Sequence, residues 1–275
     1  PDKISYSLEL AKELYYTKNK KRAIFHLKRY VENATNPSPG LYLLLGNLYE
    51  QTGKYLFTQK YYQLYLQKTN DKSASYVWPS GKKIPPGYAY FALGYLAYSK
   101  TGNHAIAKSA FRKALKLLSE KDIFRRSKSH EYIADIAVGD LQYTNAISYY
   151  LETIKYQDSI LKKIKHKQKV IKKLRSEINA IKSFLLKNSD SNKFELYQDK
   201  QIELGKQEIK LRAIVKDYNK LNPGKVRWNI AMAFKKLEKY NAAMKYFREC
   251  ISFDYNSNEA RRNIIKIQLK LKRGY

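Results

Sequence analysis

A small residue followed four positions later by a bulky apolar or aromatic one recurs five times along this chain. The pairs are Ala23/Leu27, Thr58/Tyr62, Ala107/Phe111, Ala146/Tyr150 and Ala243/Phe247. Three residues beyond each pair stand Tyr30, Tyr65, Ala114, Thr153 and Cys250, so the three positions share one helix face. The anchors lie 35, 49, 39 and 97 residues apart. The first spacing is one helical hairpin, and the longer ones are about one hairpin plus inserted chain. The pattern predicts an all-α protein of five stacked hairpins. After Asp254-Tyr255-Asn256-Ser257-Asn258 a further helix restarts with Ile264, Ile265, Ile267, Leu269 and Leu271. It is expected to cap the array, with Lys266, Lys270 and Lys272 as its polar face.

Two insertions interrupt the period. The first, at about 70–87, contains Trp78-Pro79, Gly81 and Pro85-Pro86-Gly87. Its prolines and glycines exclude a helix and predict a loop, with Trp78 and Tyr76 folding back onto a neighbour. The second begins where the fourth repeat should end. Leu161, Ile164, Ile171, Leu174, Ile178, Ile181 and Leu185 keep a 3/4 spacing up to the polar turn Asn188-Ser189-Asp190-Ser191-Asn192. A second series returns through Phe194, Tyr197, Leu204, Leu211, Val215 and Tyr218 to Asn222-Pro223-Gly224. Two apolar seams joined by a short turn predict an antiparallel helical hairpin, its outgoing arm about 50 Å long. The expected organisation is repeats one to four over 1–160, the inserted hairpin over 155–222, and the fifth repeat with its cap over 224–275.

The second repeat carries the fullest motif. Tyr42-x-x-Leu45-Gly46-x-x-Tyr49 leads to a turn at Gly53-Lys54-Tyr55 and then to Thr58, Tyr62 and Tyr65. The third reads Tyr90-x-x-Leu93-Gly94, a turn at Gly102, then Ala107, Phe111 and Ala114, with Tyr98 one residue late. The fourth and fifth have Ile133-Ala134 and Ile230-Ala231 in place of Leu-Gly, and the first has Leu10-Ala11 with Leu14. This series resembles the tetratricopeptide repeat family, in which a Trp-x-x-Leu-Gly-x-x-Tyr helix packs on an Ala-x-x-x-Phe helix. The resemblance implies a right-handed helical solenoid, here with a projecting antiparallel coiled-coil hairpin between its fourth and fifth repeats.

It also implies a groove lined by the first helix of each hairpin that receives a peptide or helix of a partner. Carried over by position, the lining would be Lys12, Tyr15, Tyr16, Asn47, Tyr88, Phe91, Tyr95, Tyr98, Glu131, Asp135, Trp228, Met232 and Lys235. Any of these aromatics either lines the groove or fills the core between repeats. A carboxylate clamp of the chaperone-binding type is incomplete: Asn47 matches, but Leu43 replaces the lysine four before it and Tyr132 follows Lys128 where arginine belongs.

Charge adds one feature to this picture. The formal net charge is +30, from 54 Lys and Arg against 24 Asp and Glu. A lysine-heavy composition of this kind is either a functional attraction to anions or a bias toward solvated lysine faces. The density peaks on the outgoing arm at Lys162, Lys163, Lys165, Lys167, Lys169, Lys172, Lys173 and Arg175. That arm reads as a basic rod for an acidic protein or an anionic membrane surface, with nucleic acid less favoured.

Candidate chemistry is sparse. His26, His104, His130 and His166 form no metal-ligand spacing with Cys250, and no metal, cofactor or catalytic residue is expected. Cys250 is expected to be buried and inert. No apolar run reaches the roughly 20 residues that span a bilayer. The absence of an initiator methionine, together with composition, leans the reading toward the bacterial cell envelope. The expected function is a non-enzymatic adaptor whose groove holds one protein while the basic stalk reaches a second partner. The alternative is an anionic-surface binder acting through the rod, and self-association through the stalk seam is a third possibility.

Overall fold

Asn19, Asn103, Asp122, Asp190 and Asn222 each accept the backbone N–H three residues on. Pro39, Pro86 and Pro223 stand in first turns, where a missing N–H costs nothing. The helices so opened belong to a computed structural model that describes residues 3–17, 19–69, 75–77 and 82–273. The chain divides into two compact units, Pro1–Asp140 and Leu141–Tyr275.

The first unit contains α1 (Lys3–Tyr16), α2 (Lys20–Asn33), α3 (Pro39–Gln51), α4 (Tyr55–Thr69), β1 (Ser75–Val77), β2 (Lys82–Ile84), α5 (Pro86–Ser99), α6 (His104–Leu117) and α7 (Ile123–Gly139). Helices α1 to α6 pack as three consecutive hairpins, and α7 lies against α6 and α5. In the second and third hairpins what lets the two helices close is a missing side chain. A methyl group on Gly46 would run into the Tyr62 ring, and one on Gly94 would stand 2.8 Å from Phe111. Neither ring can retreat. The Tyr62 hydroxyl is 2.5 Å from Asn47 Oδ1 and 2.8 Å from Glu50 Oε2, and Phe111 is fully buried between Phe91 and Tyr132.

The first insertion departs from a plain loop: β1 and β2 pair antiparallel with Tyr76 opposite Lys83. The Tyr65 hydroxyl donates to the Ile84 carbonyl at 2.9 Å and fastens this ribbon to α4. The expectation that Trp78 folds back lies outside the described residues, as does the Tyr76 side chain.

The second unit holds α8 (Tyr143–Leu185), α9 (Ser191–Lys220), α10 (Pro223–Lys236), α11 (Tyr240–Ser252) and α12 (Ser257–Lys272). At 43 residues α8 is about 65 Å long. Its first half packs on α10 and the rest runs beside α9. Ile160, Ile164, Ile171 and Ile178 are buried along that seam. Across it Lys167 donates to Gln207 and Lys200 to Glu177, numbers rising on one helix and falling on the other, so the pair is antiparallel. Lys200 above all holds the Glu177 carboxyl below its ordinary value. Phe194 does not join the seam as its spacing suggested: it is 53% exposed. The outer side of α12 also differs from the expected polar face, because Ile265, Leu269 and Leu271 are exposed beside its lysines.

Helices α10 and α11 form a hairpin around Ala231, Ala243, Phe247 and Cys250. The Cys250 thiol is fully buried, 3.7 Å from the Gly224 carbonyl oxygen, and burial pushes its pKa up to about 12. No helix among the described residues is long and apolar enough to cross a membrane.

Two outcomes follow from this packing. Gly94→Ala should lower the unfolding free energy in urea by about 1–3 kcal/mol, the usual cost of an extra methyl in a filled core. A loss below about 0.5 kcal/mol would show that the ring yields. Cys250 should ignore a thiol reagent at pH 8 in the native protein and react at once in denaturant, since burial withholds the thiolate. Rapid native labelling would contradict the burial.

Candidate protein-interaction surface

Helix α5 carries no charged residue, and Tyr88, Phe91, Tyr95 and Tyr98 recur on it at 3/4 spacing. Packing divides the four. Phe91 turns inward, its ring 5.9 Å from Phe111 and edge-on. Tyr95 stays 40% exposed, 5.7 Å from Tyr132 of α7. Tyr98 lies 5.0 Å from Tyr132 and 6.1 Å from His104, and its hydroxyl donates to Asp135 Oδ2 at 3.2 Å. Tyr132 is itself stacked on Phe111 at 5.2 Å. Tyr88 sits at the start of the helix beneath the Arg125 guanidinium, 3.9 Å from the ring centroid. Burial first, and neighbouring carboxylates second, raise the phenol pKa values of Tyr88 and Tyr132, so both stay neutral donors. The result is a small aromatic surface with restrained rings and one open face at Tyr95.

The other positions carried over from the family fall elsewhere. Lys12 pairs with Glu9 on its own helix, and Tyr15 and Tyr16 meet edge-on at 5.9 Å. Asn47 is engaged by Tyr62 inside its hairpin. Glu131 is only 1% exposed, and its carboxylate accepts from Lys128 at 2.7 Å. In the second unit Trp228 meets Phe247 edge-on at 5.3 Å, and Met232 packs into the same core. Lys235 donates to Asn263 at 2.6 Å. Tyr95, Tyr98 and Asp135 are therefore brought together. Tyr132 joins them and was missed, since its place in the motif was read only as a failed arginine.

The basic positions of α8 also divide. Lys167 bonds Gln207, Lys173 lies 3.8 Å from Glu177, and Arg175 grips Glu208 at 2.7 Å. Lys162, Lys163, Lys165, Lys169 and Lys172 are exposed and make no ion pair among the described residues. Four of them (162, 165, 169 and 172) share the side turned away from the seam, at the 3/4 spacing of one face.

A buried arginine roots this helix pair. Arg227, 5% exposed, directs Nε to Glu249 at 3.0 Å and Nη1 to Gln157 at 3.1 Å and the Pro223 carbonyl at 3.2 Å. Its Nη2 reaches Asp158 at 3.4 Å, and the guanidinium lies over the Phe253 ring at 4.4 Å. Gln157 then donates to the Leu221 carbonyl at 3.2 Å, which ties α8 to the end of α9. The pattern reading missed this hub. Its one signal is a charge on an otherwise apolar face of α10, beside Val226, Ile230 and Ala231.

A cleft of about 830 Å³ opens between α4, α5 and α6, floored by Leu66, Leu93 and Tyr90 and edged by Lys113. Among the described residues no group of three or more His, Cys, Asp or Glu is placed to hold a metal ion.

Helical hairpins in series, two of them closed by glycine against a ring, define a protein of the helical-repeat class. The tetratricopeptide repeat family model matches residues 87–117 and 224–257, so the chain carries tetratricopeptide repeats in these two segments. Its fold is similar to a crystal structure of MamA protein, with 12% identity over 90% of each chain and a TM-score of 0.51. A second MamA structure shares 20% identity over 59% of this chain and 82% of its own, at a TM-score of 0.44. PilF of Pseudomonas aeruginosa shares 11% identity over 99% of this chain and 91% of its own, at 0.46. No curated protein matches the chain by sequence.

Replacing Arg227 by Met should cost about 2–3 kcal/mol, somewhat below the range for fully buried pairs because its carboxylates are partly solvated. Arg227→Lys should recover little of it, since an ammonium does not reproduce the fork. Urea unfolding monitored by circular dichroism reads both, and a change within 0.5 kcal/mol for Arg227→Met would remove the hub from the account.

Proposed function

We propose that the protein is a non-enzymatic scaffold that holds a peptide or helix of a partner against the aromatic face of α5 and α7. The observation that carries this reading is the exposed, restrained ring of Tyr95 flanked by Tyr98 and Tyr132. Interfaces favour such residues because a tyrosine contributes contact area and a hydroxyl at little entropic cost. Rings already fixed by Phe111 and Asp135 lose less freedom when a partner arrives. In this reading α8 beyond Ile160 and α9 form a stalk inserted between the fourth and fifth repeats of a solenoid. The exposed lysine face of α8 contacts a second, anionic partner.

The five exposed lysines support one other reading, in which the rod itself is the main site and binds an acidic surface. Each lysine near an anionic membrane contributes about 1 kcal/mol, so a few suffice for salt-sensitive attachment.

Capture from source-cell lysate separates the two. Tyr95→Ala should weaken retention of a client protein about tenfold or more, while glutamine at 162, 163, 165, 169 and 172 leaves it unchanged at low and moderate salt. Loss of binding with the lysines and with salt, indifferent to Tyr95, would replace the scaffold by the rod.

A further inference from the structure

Helix α9 has two apolar sides, and α8 covers one of them. Tyr197, Leu204, Leu211 and Tyr218 turn toward α8. On the opposite side Ile202 is 56% and Ile209 68% exposed, and Gly205 between them has nothing within 4 Å of where a Cβ would stand. At about 100° per residue Phe194, Ile202, Gly205, Ile209 and Ala213 fall within roughly a third of the helix circumference. The run Gln198, Ile202, Gly205, Ile209, Arg212 alternates steps of four and three, the register of a seam between helices.

The charges of α9 say what fits this face. In its first half Lys193 lies over the Phe184 ring and Lys200 is bonded to Glu177, both on α8. With Lys200 offset by Glu177, the charge of Lys193 is outweighed by Glu195, Asp199 and Glu203, and that half is negative. In the second half Glu208 is held by Arg175 and Asp217 by Lys220. Lys206, Lys210, Arg212 and Lys216 set the sign there. The outer field of α9 is thus negative toward its start and positive toward its end.

We infer that α9 pairs with α9 of a second copy of this chain, antiparallel about a two-fold axis near Gly205. Antiparallel pairing sets each acidic half against the other copy's basic half. Parallel pairing would stack basic on basic. Gly205 at the centre lets the backbones approach, and an isoleucine of the other copy seats over it. The lysine face of α8 repels its own kind and stays outside, so the pair becomes a four-helix bundle with two basic flanks. This pairing is independent of the aromatic face proposed above. It would give a scaffold two copies of each surface.

Sedimentation equilibrium of the full 32.3 kDa chain tests it at about 1–100 μM and low salt. The mass should approach twice that of the monomer, and Ile202→Glu with Ile209→Glu should weaken association at least tenfold with unchanged helical circular dichroism. Glu195→Lys with Asp199→Lys should weaken it similarly, and adding Lys206→Glu with Lys210→Glu should restore it. A Gly205→Cys variant should crosslink between copies through a short bismaleimide, and Gln198→Cys should not, with buried Cys250 silent. A monomeric mass at 100 μM, or a dimer indifferent to the two isoleucines, overturns the pairing. A dimer lost with the isoleucines but indifferent to the charge reversals overturns its antiparallel sense.

Discussion

The close approach of a glycine to an aromatic ring inside a hairpin is the constraint on which the first unit rests. Gly46 receives Tyr62 and Gly94 receives Phe111, and in both the ring occupies space that any side chain would fill. A packed interior cannot absorb even one methylene freely, so this contact sets the distance between the two helices. Its influence does not end at the core. Phe111 backs Tyr132, and Tyr132 backs Tyr95 and Tyr98. The surface rings are held in place by the ring that closes the hairpin. Binding capacity and packing are in this sense one chain of contacts.

One junction of the second unit closes by different physics. There a long helix packs on α10 and then continues beside α9, and Arg227 ties the junction together. Burying a guanidinium costs several kcal/mol unless its donors find acceptors. Glu249, Gln157, Asp158 and the Pro223 carbonyl supply them, drawn from α8, α10 and α11 together. A directional hub suits a junction because hydrogen bonds fix orientation where a greasy contact would allow sliding. Beyond it α8 and α9 depend on their own narrow seam, which explains how α9 comes to keep a second apolar face toward solvent.

Local features were legible because their causes are local. A 3/4 period, a proline or asparagine at a helix start and a polar turn at 188–192 act within one or two turns of backbone. The three hairpins of α1 to α6, the α10–α11 hairpin and both long arms could be read from them. Turn glycines marked the second and third repeats, where Gly53 and Gly102 adopt positive φ. In the degenerate repeats Leu141 and Glu238 take the same left-handed conformation with no glycine to announce it, because tertiary packing overrides the local penalty of about 1–2 kcal/mol.

The sequence by itself determined the helices, the pairing of α1 to α6 and of α10 with α11 into hairpins, and the lysine-rich character of α8, since periodicity and capping need no knowledge of distant chain. Only the tertiary structure decided which apolar face meets which neighbour. Phe194 shares the spacing of the α9 seam yet lies outside it, and Glu131 looks like a groove residue yet is sealed against Lys128. Arg227 meets Gln157 across 70 positions of chain and Glu249 across 22. Such choices turn on which surfaces are covered once all helices are in place, and burial is a property of the assembled whole.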